Sequence, residues 1–387
     1  MTTQRNLSIS ALVLVMAAGT GWTPGHGVSW QLTDTGSTAR FRGLAPVDAS
    51  VAWAAGSAGT VLRTVDAGRT WTSLGPPAAA GLEFRDIEAH DARSAVALTV
   101  GTGTDSRIYT TTDAGRTWTE TFRNEDPVAF YDCLAFSDHR RSAGSPFTES
   151  ASTESPSTGP SSTGPSSAGS SSAGSSSAGR RHGLALSDPV DGKFRILATR
   201  DGGRTWDVVP STGMPDALPG EFAFAASGTC LVSAGRDYWF ATGGGATARV
   251  FHSRDGGRTW SVTDSPVPSG PSAGIYGLAF RDSRHGLAVG GDYVTPAAAP
   301  DGAAVTRDGG RHWDVSRRVP GAYRSGVTWK GHSRTAIAVG PTGSDISYDG
   351  GRTWRNFDTG SFDAVACTST GACWASGQSG RIARLRH

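Results

Sequence analysis

The chain has 387 residues, among them 53 Gly, 20 Pro and 12 Trp, and its formal net charge at pH 7 is +2. Gly makes up about 14% of the chain, roughly twice its average share in proteins, whereas hydrophobic residues contribute only 37%. This composition excludes a helical bundle or coiled coil, which needs runs of Ala, Leu, Glu and Lys. The small net charge argues against a nucleic-acid partner. Frequent Gly with many Trp favours short strands joined by many turns.

The first 20 residues have the pattern of a secretory signal peptide. Arg5 precedes an apolar run from Leu7 to Ala18, and small residues surround a plausible cleavage position near Gly19. The run is too short to cross a bilayer as a mature helix. We therefore expect residues 1–20 to direct export. We expect no integral membrane segment in the mature chain, because no later stretch is apolar for long enough.

One octapeptide of the form Ser/Thr-x-Asp-x-Gly-x-Thr-Trp recurs six times, and His312 in the Thr position of the fifth copy is its only departure. The copies are Thr64–Trp71, Thr111–Trp118, Thr199–Trp206, Ser253–Trp260, Thr306–Trp313 and Ser347–Trp354. Successive Asp residues are 47, 88, 54, 53 and 41 positions apart. The long interval contains residues 142–179, a Ser/Gly/Pro-rich run that we predict to be a disordered insert. Without these 38 residues the interval is 50, like the others.

Each octapeptide has the residues of a tight turn. Its Asp accepts hydrogen bonds from nearby backbone N–H groups, and the Gly two positions later adopts the positive φ that such a turn needs. The Trp begins the next strand and packs its ring between neighbouring sheets. We therefore predict a structural role, and neither metal binding nor catalysis, for the six carboxylates Asp66, Asp113, Asp201, Asp255, Asp308 and Asp349.

Four short strands surround each octapeptide, which are the proportions of a β-propeller blade. In the first unit they cover residues 40–44, 50–54, 59–64 and 70–74. Later units begin near Leu82, Val128, Glu221, Gly274, Arg324 and Phe362. The last unit has only three strands, and residues 27–32 resemble the missing fourth. We predict an all-β fold for residues 27–387: one seven-bladed propeller of four-stranded antiparallel blades, closed by the N-terminal strand. The insert then lies between the first and second strands of blade three.

The four cysteines suggest disulfides and no metal site. Cys367 and Cys373 flank a turn-rich stretch, and a hairpin there brings them within bonding distance. The pairing of Cys133 with Cys230 stays open at this point. No Cys or His spacing resembles a zinc site. We predict no cofactor, because no Gly-x-Gly-x-x-Gly motif joins a strand to a helix, which also leaves an oxidoreductase site without support.

The octapeptide resembles the Asp-box, also called the bacterial neuraminidase repeat. The run of blades resembles the photosystem II stability and assembly factor family and its exported bacterial relatives, through phrases such as Gly59–Trp71 and Arg284–Gly290. The resemblance covers essentially the whole mature chain. It implies a seven-bladed propeller that binds protein partners and does not catalyse a reaction.

Sialidases also carry Asp-boxes, so a glycoside hydrolase is the alternative. Such enzymes need three arginines, a Tyr nucleophile backed by Glu, and an Asp acid–base. Phe194–Leu197 is similar to their early Phe-Arg-Ile-Pro phrase, but it lies in the third blade and lacks the Pro. A glycosidase that uses two opposed Asp residues across the propeller cleft also stays open.

The innermost strand of each blade lines the central channel, so the residues that begin these strands are candidates for a binding site at its mouth. They are Arg42, Arg85, Asp132, Tyr276, Arg324 and Asp363. A ring of this mixture suits a polar or peptide partner. Alternatively, the side chains pair with one another and fill the channel. Asp188 and Asp191 have a similar ambiguity, since a cation site and an Asx-turn both explain them.

From these features we expect an exported, monomeric, non-catalytic interaction module with an unidentified protein or peptide partner. The alternative is a secreted hydrolase that acts on a glycan at the same mouth.

Overall fold

The computed structural model describes residues 27–137 and 182–386. These residues form 28 strands in seven four-stranded antiparallel sheets, with single-turn 3₁₀ helices at Pro77–Ala79, Gly103–Asp105 and Ser211–Gly213. The predicted seven-bladed all-β propeller is confirmed. The predicted signal peptide (1–20) and insert (142–179) lie outside the described residues. Within the described ranges, no helix is long and apolar enough to cross a membrane.

Each sheet is one blade, and its strands run outwards from the channel in chain order. Blade one contains β2 (Phe41–Pro46), β3 (Ala52–Gly56), β4 (Val61–Thr64) and β5 (Thr72–Ser73). Blade two contains β6 (Glu83–Ala89), β7 (Ala95–Val100), β8 (Arg107–Thr111) and β9 (Thr119–Arg123). Blade three contains β10 (Tyr131–Phe136), β11 (Gly183–Val190), β12 (Lys193–Thr199) and β13 (Asp207–Val208). Blade four contains β14 (Leu231–Ala234), β15 (Asp237–Ala241), β16 (Arg249–Ser253) and β17 (Ser261–Asp264).

The remaining blades follow the same order, except that the chain's first strand belongs to the last one. Blade five contains β18 (Ala273–Phe280), β19 (Gly286–Asp292), β20 (Ala303–Thr306) and β21 (Asp314–Val315). Blade six contains β22 (Gly326–Trp329), β23 (Ala336–Gly340), β24 (Gly343–Ser347) and β25 (Arg355–Asp358). Blade seven contains β26 (Ala364–Cys367), β27 (Cys373–Ser376), β28 (Ile382–Arg386) and, as its outer strand, β1 (Ser29–Thr33).

The predicted closure of the ring by the N-terminal strand is confirmed. β1 pairs with β28 along its whole length, with Ser29 opposite Arg386. The Trp30 indole Nε1 donates a 2.9 Å hydrogen bond to Ser344 Oγ in blade six, and its ring packs 5.5 Å from that of Phe362. The first strand therefore fastens blade seven to blade six as well as completing it.

Most apolar burial is divided into seven layers, each formed by two adjacent blades, and an eighth, smaller cluster contains Phe224, Tyr276 and Tyr323. The alternation of side chains along a strand explains this arrangement, because successive residues point to opposite faces of the sheet. In β3, Ala52 and Ala54 face blade seven, whereas Trp53 and Ala55 face blade two. Each blade is thus buried on both sides without a single central core.

The octapeptides form the same hydrogen-bonded turn in all six copies. In the first, Thr64 Oγ1 and the Thr70 N–H both donate to Asp66 Oδ1 at 2.9 Å, and Thr70 Oγ1 donates to Oδ2 at 2.7 Å. The Gly68 N–H donates to Thr64 Oγ1, and Gly68 adopts a φ of +78°. In the fifth copy, His312 replaces the Thr, and its ring Nδ1 lies 2.6 Å from Asp308 Oδ2. We call this end of the propeller the octapeptide face.

Gly at this turn has a second role, which is contact with the preceding blade. A side chain at Gly68 would overlap Thr33 in blade seven, and one at Gly203 would overlap Val96 in blade two. The Trp71 ring lies edge-on to Trp374 of blade seven at 6.0 Å. Each turn therefore both closes its own hairpin and seats it against its neighbour.

Two disulfides are present. Cys367 pairs with Cys373 across the β26–β27 hairpin, as expected. Cys133 in β10 pairs with Cys230, just before β14, and so joins blades three and four. All four cysteines are bonded.

Blade four differs from expectation, because its first strand begins at Leu231 and not near Glu221. Glu221 is buried instead, and its carboxylate accepts hydrogen bonds from Arg249 Nε at 2.9 Å and Thr242 Oγ1 at 2.6 Å.

Residues 222–229 then cross the central channel, and we call them the plug. Ser227 Oγ donates to the Ser325 carbonyl of blade six at 2.7 Å. Gly228 lies against Asp86 of blade two, so closely that a methyl group there would overlap the carboxylate.

The plug closes one end of the channel. On the other side of it, a cavity of about 570 Å³ opens towards the octapeptide face and is lined by the inner strands of all seven blades. The end closed by the plug is the end at which the innermost strands begin, which we call the mouth.

The octapeptide carboxylates predict an acid-sensitive fold. Hydrogen bonds from the Thr117 hydroxyl and N–H lower the pKa of Asp113 to about 2. A lowered folded-state pKa stabilises the protein above the unfolded pKa, and this contribution disappears as the pH falls towards 2. We expect Asp113→Asn to lower the melting temperature at pH 7 and to have a smaller effect near pH 2.5. The control is Asp314→Asn, at an exposed position of β21. Equal effects of Asp113→Asn at both pH values would contradict the assignment.

Candidate functional site

Local irregularities in the innermost strands aim side chains at the mouth. In four of these strands the pairing register shifts by one residue, between Phe41 and Gly43, Phe84 and Asp86, Tyr131 and Cys133, and Ile275 and Gly277. A β-bulge of this kind re-aims the extra residue. The extra residues are Arg42, Arg85, Asp132 and Tyr276, four of the six residues predicted for the mouth.

Asp363 occupies the corresponding position in blade seven. The preceding residue, Phe362, donates its N–H to the Gly340 carbonyl of the neighbouring blade, just as Phe41 donates to Gly377 before Arg42. Asp363 is buried, and both of its carboxylate oxygens accept hydrogen bonds from Arg40, at 2.7 and 2.8 Å.

Arg324 does not join the mouth. Its own N–H makes the inter-blade bond to the Gly290 carbonyl, so it stands where Phe41 stands in blade one, one residue before the mouth position. The side chain is only 2% exposed, and its Nε donates to Asp345 Oδ2 at 2.6 Å. Ser325 takes the mouth position of blade six. The sequence was misleading because Tyr323-Arg324 looks like Phe41-Arg42, although the two pairs are one position out of register.

One side of the mouth is basic. Arg42 Nη1 and Arg85 Nε both donate to Glu83 Oε1 at 2.9 Å, and Arg40 pairs with Asp363. Arg85 also donates to the carbonyl of Ala225 in the plug. Three guanidinium groups therefore share two carboxylates.

Among these guanidinium groups, Arg42 has a buried N–H group that lacks a hydrogen-bond acceptor within residues 27–137 and 182–386. Its Nε is buried and makes no hydrogen bond within the described part of the protein. Burial, followed by the positive charges of Arg85 and Arg40, lowers the pKa of Arg42 to about 10. The guanidinium is thus charged at neutral pH while it lies in an environment that disfavours its charge. The Arg42 side chain is 15% exposed, so an anion at the mouth would offset the charge of the guanidinium, although the buried Nε stays out of its reach.

The other side of the mouth is aromatic. The Phe224 ring of the plug stacks on Tyr276 at 3.9 Å, and Tyr323 meets Tyr276 edge-on at 4.8 Å. Tyr293 extends this surface outwards and is 54% exposed. Burial raises the pKa of Tyr276 and of Tyr323, so both phenols are neutral. Sequence reasoning missed Phe224, because nothing local places residues 222–229 in the channel.

A pair of carboxyl groups lies beneath the plug. Asp132 is buried, and its Oδ2 makes no hydrogen bond within the described residues. Burial, with the nearby charge of Asp188 second, raises the pKa of Asp132. Burial also raises the pKa of Asp188 to about 7, although its Oδ1 accepts a 2.9 Å hydrogen bond from the Ala223 N–H. Asp188 thus holds one end of the plug.

The geometry does not support a cation site at Asp188 and Asp191. Asp191 and Gly192 adopt positive φ values of 53° and 79° in the tight turn between β11 and β12, as a two-residue hairpin requires. Nowhere in residues 27–137 and 182–386 do three His, Cys, Asp or Glu side chains form a group that could hold a metal ion.

No protein-family model matches the sequence. No curated protein matches it in sequence either. In structure, the chain is similar to YCF48 bound to D1 peptide, with a TM-score of 0.59 and 13% identity over 95% of this chain and 98% of that one. It is also similar to YCF48 from Cyanidioschyzon merolae, with a TM-score of 0.55 and 14% identity over 92% of this chain and 98% of that one.

A further similar structure is the GH74 xyloglucanase from Xanthomonas campestris, with a TM-score of 0.57 and 15% identity. The match covers 92% of this chain but 53% of the xyloglucanase. Identities this low show the propeller fold alone.

The raised pKa of Asp188 predicts that the folded protein loses stability as the pH rises. Because its folded-state pKa is raised above the unfolded value, the native state binds the proton more tightly, so stability falls as the pH rises from about 4 through about 7. Asp188→Asn keeps an acceptor for the Ala223 N–H but cannot ionise beside Asp132. We expect this variant to unfold at a denaturant midpoint that changes less between pH 5 and 8 than the wild-type midpoint. An unchanged dependence on pH would contradict the proposed burial of Asp188.

Proposed function

We propose that this protein is an exported interaction module that binds an acidic polypeptide segment of a partner at the mouth. The observation that carries the proposal is the excess of guanidinium groups there, with Arg42 held among like charges that disfavour its own. Arg and Tyr are the residue types that most often anchor protein interfaces. The octapeptides are interpreted as Asp-boxes with a structural role in this function.

The geometry suits a carboxylate in particular. A guanidinium binds a carboxylate through two parallel hydrogen bonds, and each bond to a charged group contributes about 1.5–3 kcal/mol. On the aromatic side, Tyr293 is 54% exposed and offers its ring to the rest of the segment, while the buried rings of Tyr276 and Phe224 pack behind it. Because the plug closes the channel, the segment must lie across the mouth and cannot thread through it.

Two further observations support the proposal. The YCF48 structure bound to D1 peptide shows that a propeller of similar fold binds a peptide. Two disulfides suit an oxidising, extracytoplasmic compartment, in agreement with the signal-peptide pattern of residues 1–20.

The test uses synthetic acidic nonapeptides labelled with fluorescein, each made with a free C-terminal carboxylate and with an amidated end. We expect Arg42→Ala with Arg85→Ala to weaken binding of the acidic peptides by about tenfold or more, since each lost charged contact costs at least about 1.4 kcal/mol. Fluorescence polarisation measures the affinities, and comparing the two peptide forms shows whether the chain end itself is recognised.

The matched control is Arg116→Ala with Arg352→Ala, which removes the same charge from the octapeptide face. Melting temperatures show whether the mouth variant still folds, since Arg85 also holds the plug. Equal binding by the wild type and a folded mouth variant would reject the mouth as the site. Equal losses in both variants would assign the binding to net charge alone.

The alternative function is a glycoside hydrolase, and the Asp132–Asp188 pair favours it most directly. Raised carboxyl pKa values occur at catalytic sites, and a GH74 xyloglucanase has a similar fold. Both carboxyl groups, however, come from blade three and lie beneath Ala223, whereas a glycosidase needs its two carboxyl groups on either side of an open cleft. We therefore favour binding without catalysis.

Incubation with xyloglucan separates the two functions. We expect no release of reducing ends above that of a heat-denatured control. Release that is abolished by Asp132→Asn and by Asp188→Asn, in variants whose cooperative melting shows that they are folded, would establish the hydrolase instead.

A further inference from the structure

A further cavity lies on the octapeptide face, away from the mouth. A cavity of about 710 Å³ separates the fourth octapeptide turn from the outer strand of blade three. Its volume is within the range of small-molecule sites in proteins, about 300–1,000 Å³. We call it the arginine groove, because four arginines line it: Arg200, Arg236, Arg254 and Arg258.

The octapeptide turns explain why so many arginines meet there. The third, fourth and fifth copies read Arg-Asp-Gly-Gly-Arg at their centre, whereas the other copies lack the first Arg. Arg200 therefore projects from the turn of blade three, and Arg254 and Arg258 from the turn of blade four. Arg236, in the β14–β15 turn, adds a fourth group from the same face.

The four guanidinium groups have no protein partner within the described ranges, since none forms a side-chain hydrogen bond, an ion pair or a contact with an aromatic face. Two carboxylates also line the groove, Asp207 and Asp255. Asp255 is already engaged inside its own turn, where Ser253 Oγ, the Arg258 and Thr259 N–H groups and Thr259 Oγ1 all donate to it. Among the described residues that line the groove, Asp207 is then the one carboxylate left to balance four arginines.

We propose that the arginine groove binds a small ligand that carries a phosphate or sulfate group. A tetrahedral oxyanion offers three terminal oxygens to several guanidinium groups at once, which a single carboxylate cannot do. The groove is also much larger than a bare anion. Val208 and Pro210 line its wall and provide an apolar surface for the group that carries the oxyanion.

Isothermal titration calorimetry at a fixed ionic strength of about 0.1 M tests the site with three probes: inorganic phosphate, glucose 6-phosphate and glucose. We expect binding of both phosphates and none of glucose. Tighter binding of glucose 6-phosphate would identify the ligand as an ester, whereas equal binding would identify it as the free anion. Both results support an oxyanion site, and absence of phosphate binding overturns it.

Matched pairs of variants locate the binding. Arg254→Gln with Arg258→Gln changes the turn that borders the groove, and we expect it to weaken glucose 6-phosphate binding by about tenfold or more. Arg307→Gln with Arg311→Gln changes the same two positions of the blade-five turn, outside the groove, and we expect less than about a twofold effect. Equal effects of the two pairs would show diffuse attraction to a positive surface and would overturn the proposal. Both pairs leave the mouth unchanged, so the result is independent of peptide binding there.

Discussion

Burial between adjacent blades is the constraint on which the rest of the structure depends. Each sheet is apolar on both faces, and the seven hydrophobic layers are all formed by neighbouring pairs. An open row of blades would leave two such faces in water, so the ring has to close. β1 achieves this by pairing with β28 while Trp30 packs against blade six. The octapeptide turn supports the same packing from the periphery, because its Gly permits the close approach of the preceding blade and its Trp fills the space between them.

The same regularity explains how the mouth acquires its chemistry. A side chain in a regular inner strand points towards one neighbouring blade or the other, which leaves few positions for function. The bulges at Arg42, Arg85, Asp132 and Tyr276 release one residue per strand from that alternation. The scaffold keeps its packing, and the released residues differ from blade to blade. Arg42 and Arg85 on the basic side, Tyr276 on the aromatic side and Asp132 of the buried carboxyl pair therefore come from equivalent positions of one repeat.

Much of the fold was predictable because its determinants are local. The six octapeptides specify their own turns, and the spacing between them specifies the blades. The pairing of residues 27–32 with the last blade followed from counting strands. Two predictions were wrong, for the start of blade four and for Arg324. In both cases the contacts that decide the structure come from residues distant in sequence. Glu221 is paired with Arg249, and the plug is hydrogen-bonded to Asp188 and Ser325 and packs against Asp86, so residues 221–229 show no local sign of their path. The predicted mouth position of blade six was one residue too early, because Arg324 is buried by its ion pair with Asp345. Five of the six predicted residues thus lie at corresponding strand positions, whereas the path of residues 221–229 could not be predicted.

The closing strand also fixes how the molecule is presented. In the other six blades an octapeptide turn joins the third strand to the fourth, and in blade seven the two chain ends take that position, with Ser29 beside Arg386. Both ends of the propeller consequently emerge on the octapeptide face. A support, tag or fused domain attached at either end would hold the molecule by that face, with the mouth directed away from the attachment and open to large partners. The arginine groove, in contrast, would face the attached surface, where only small solutes have ready access.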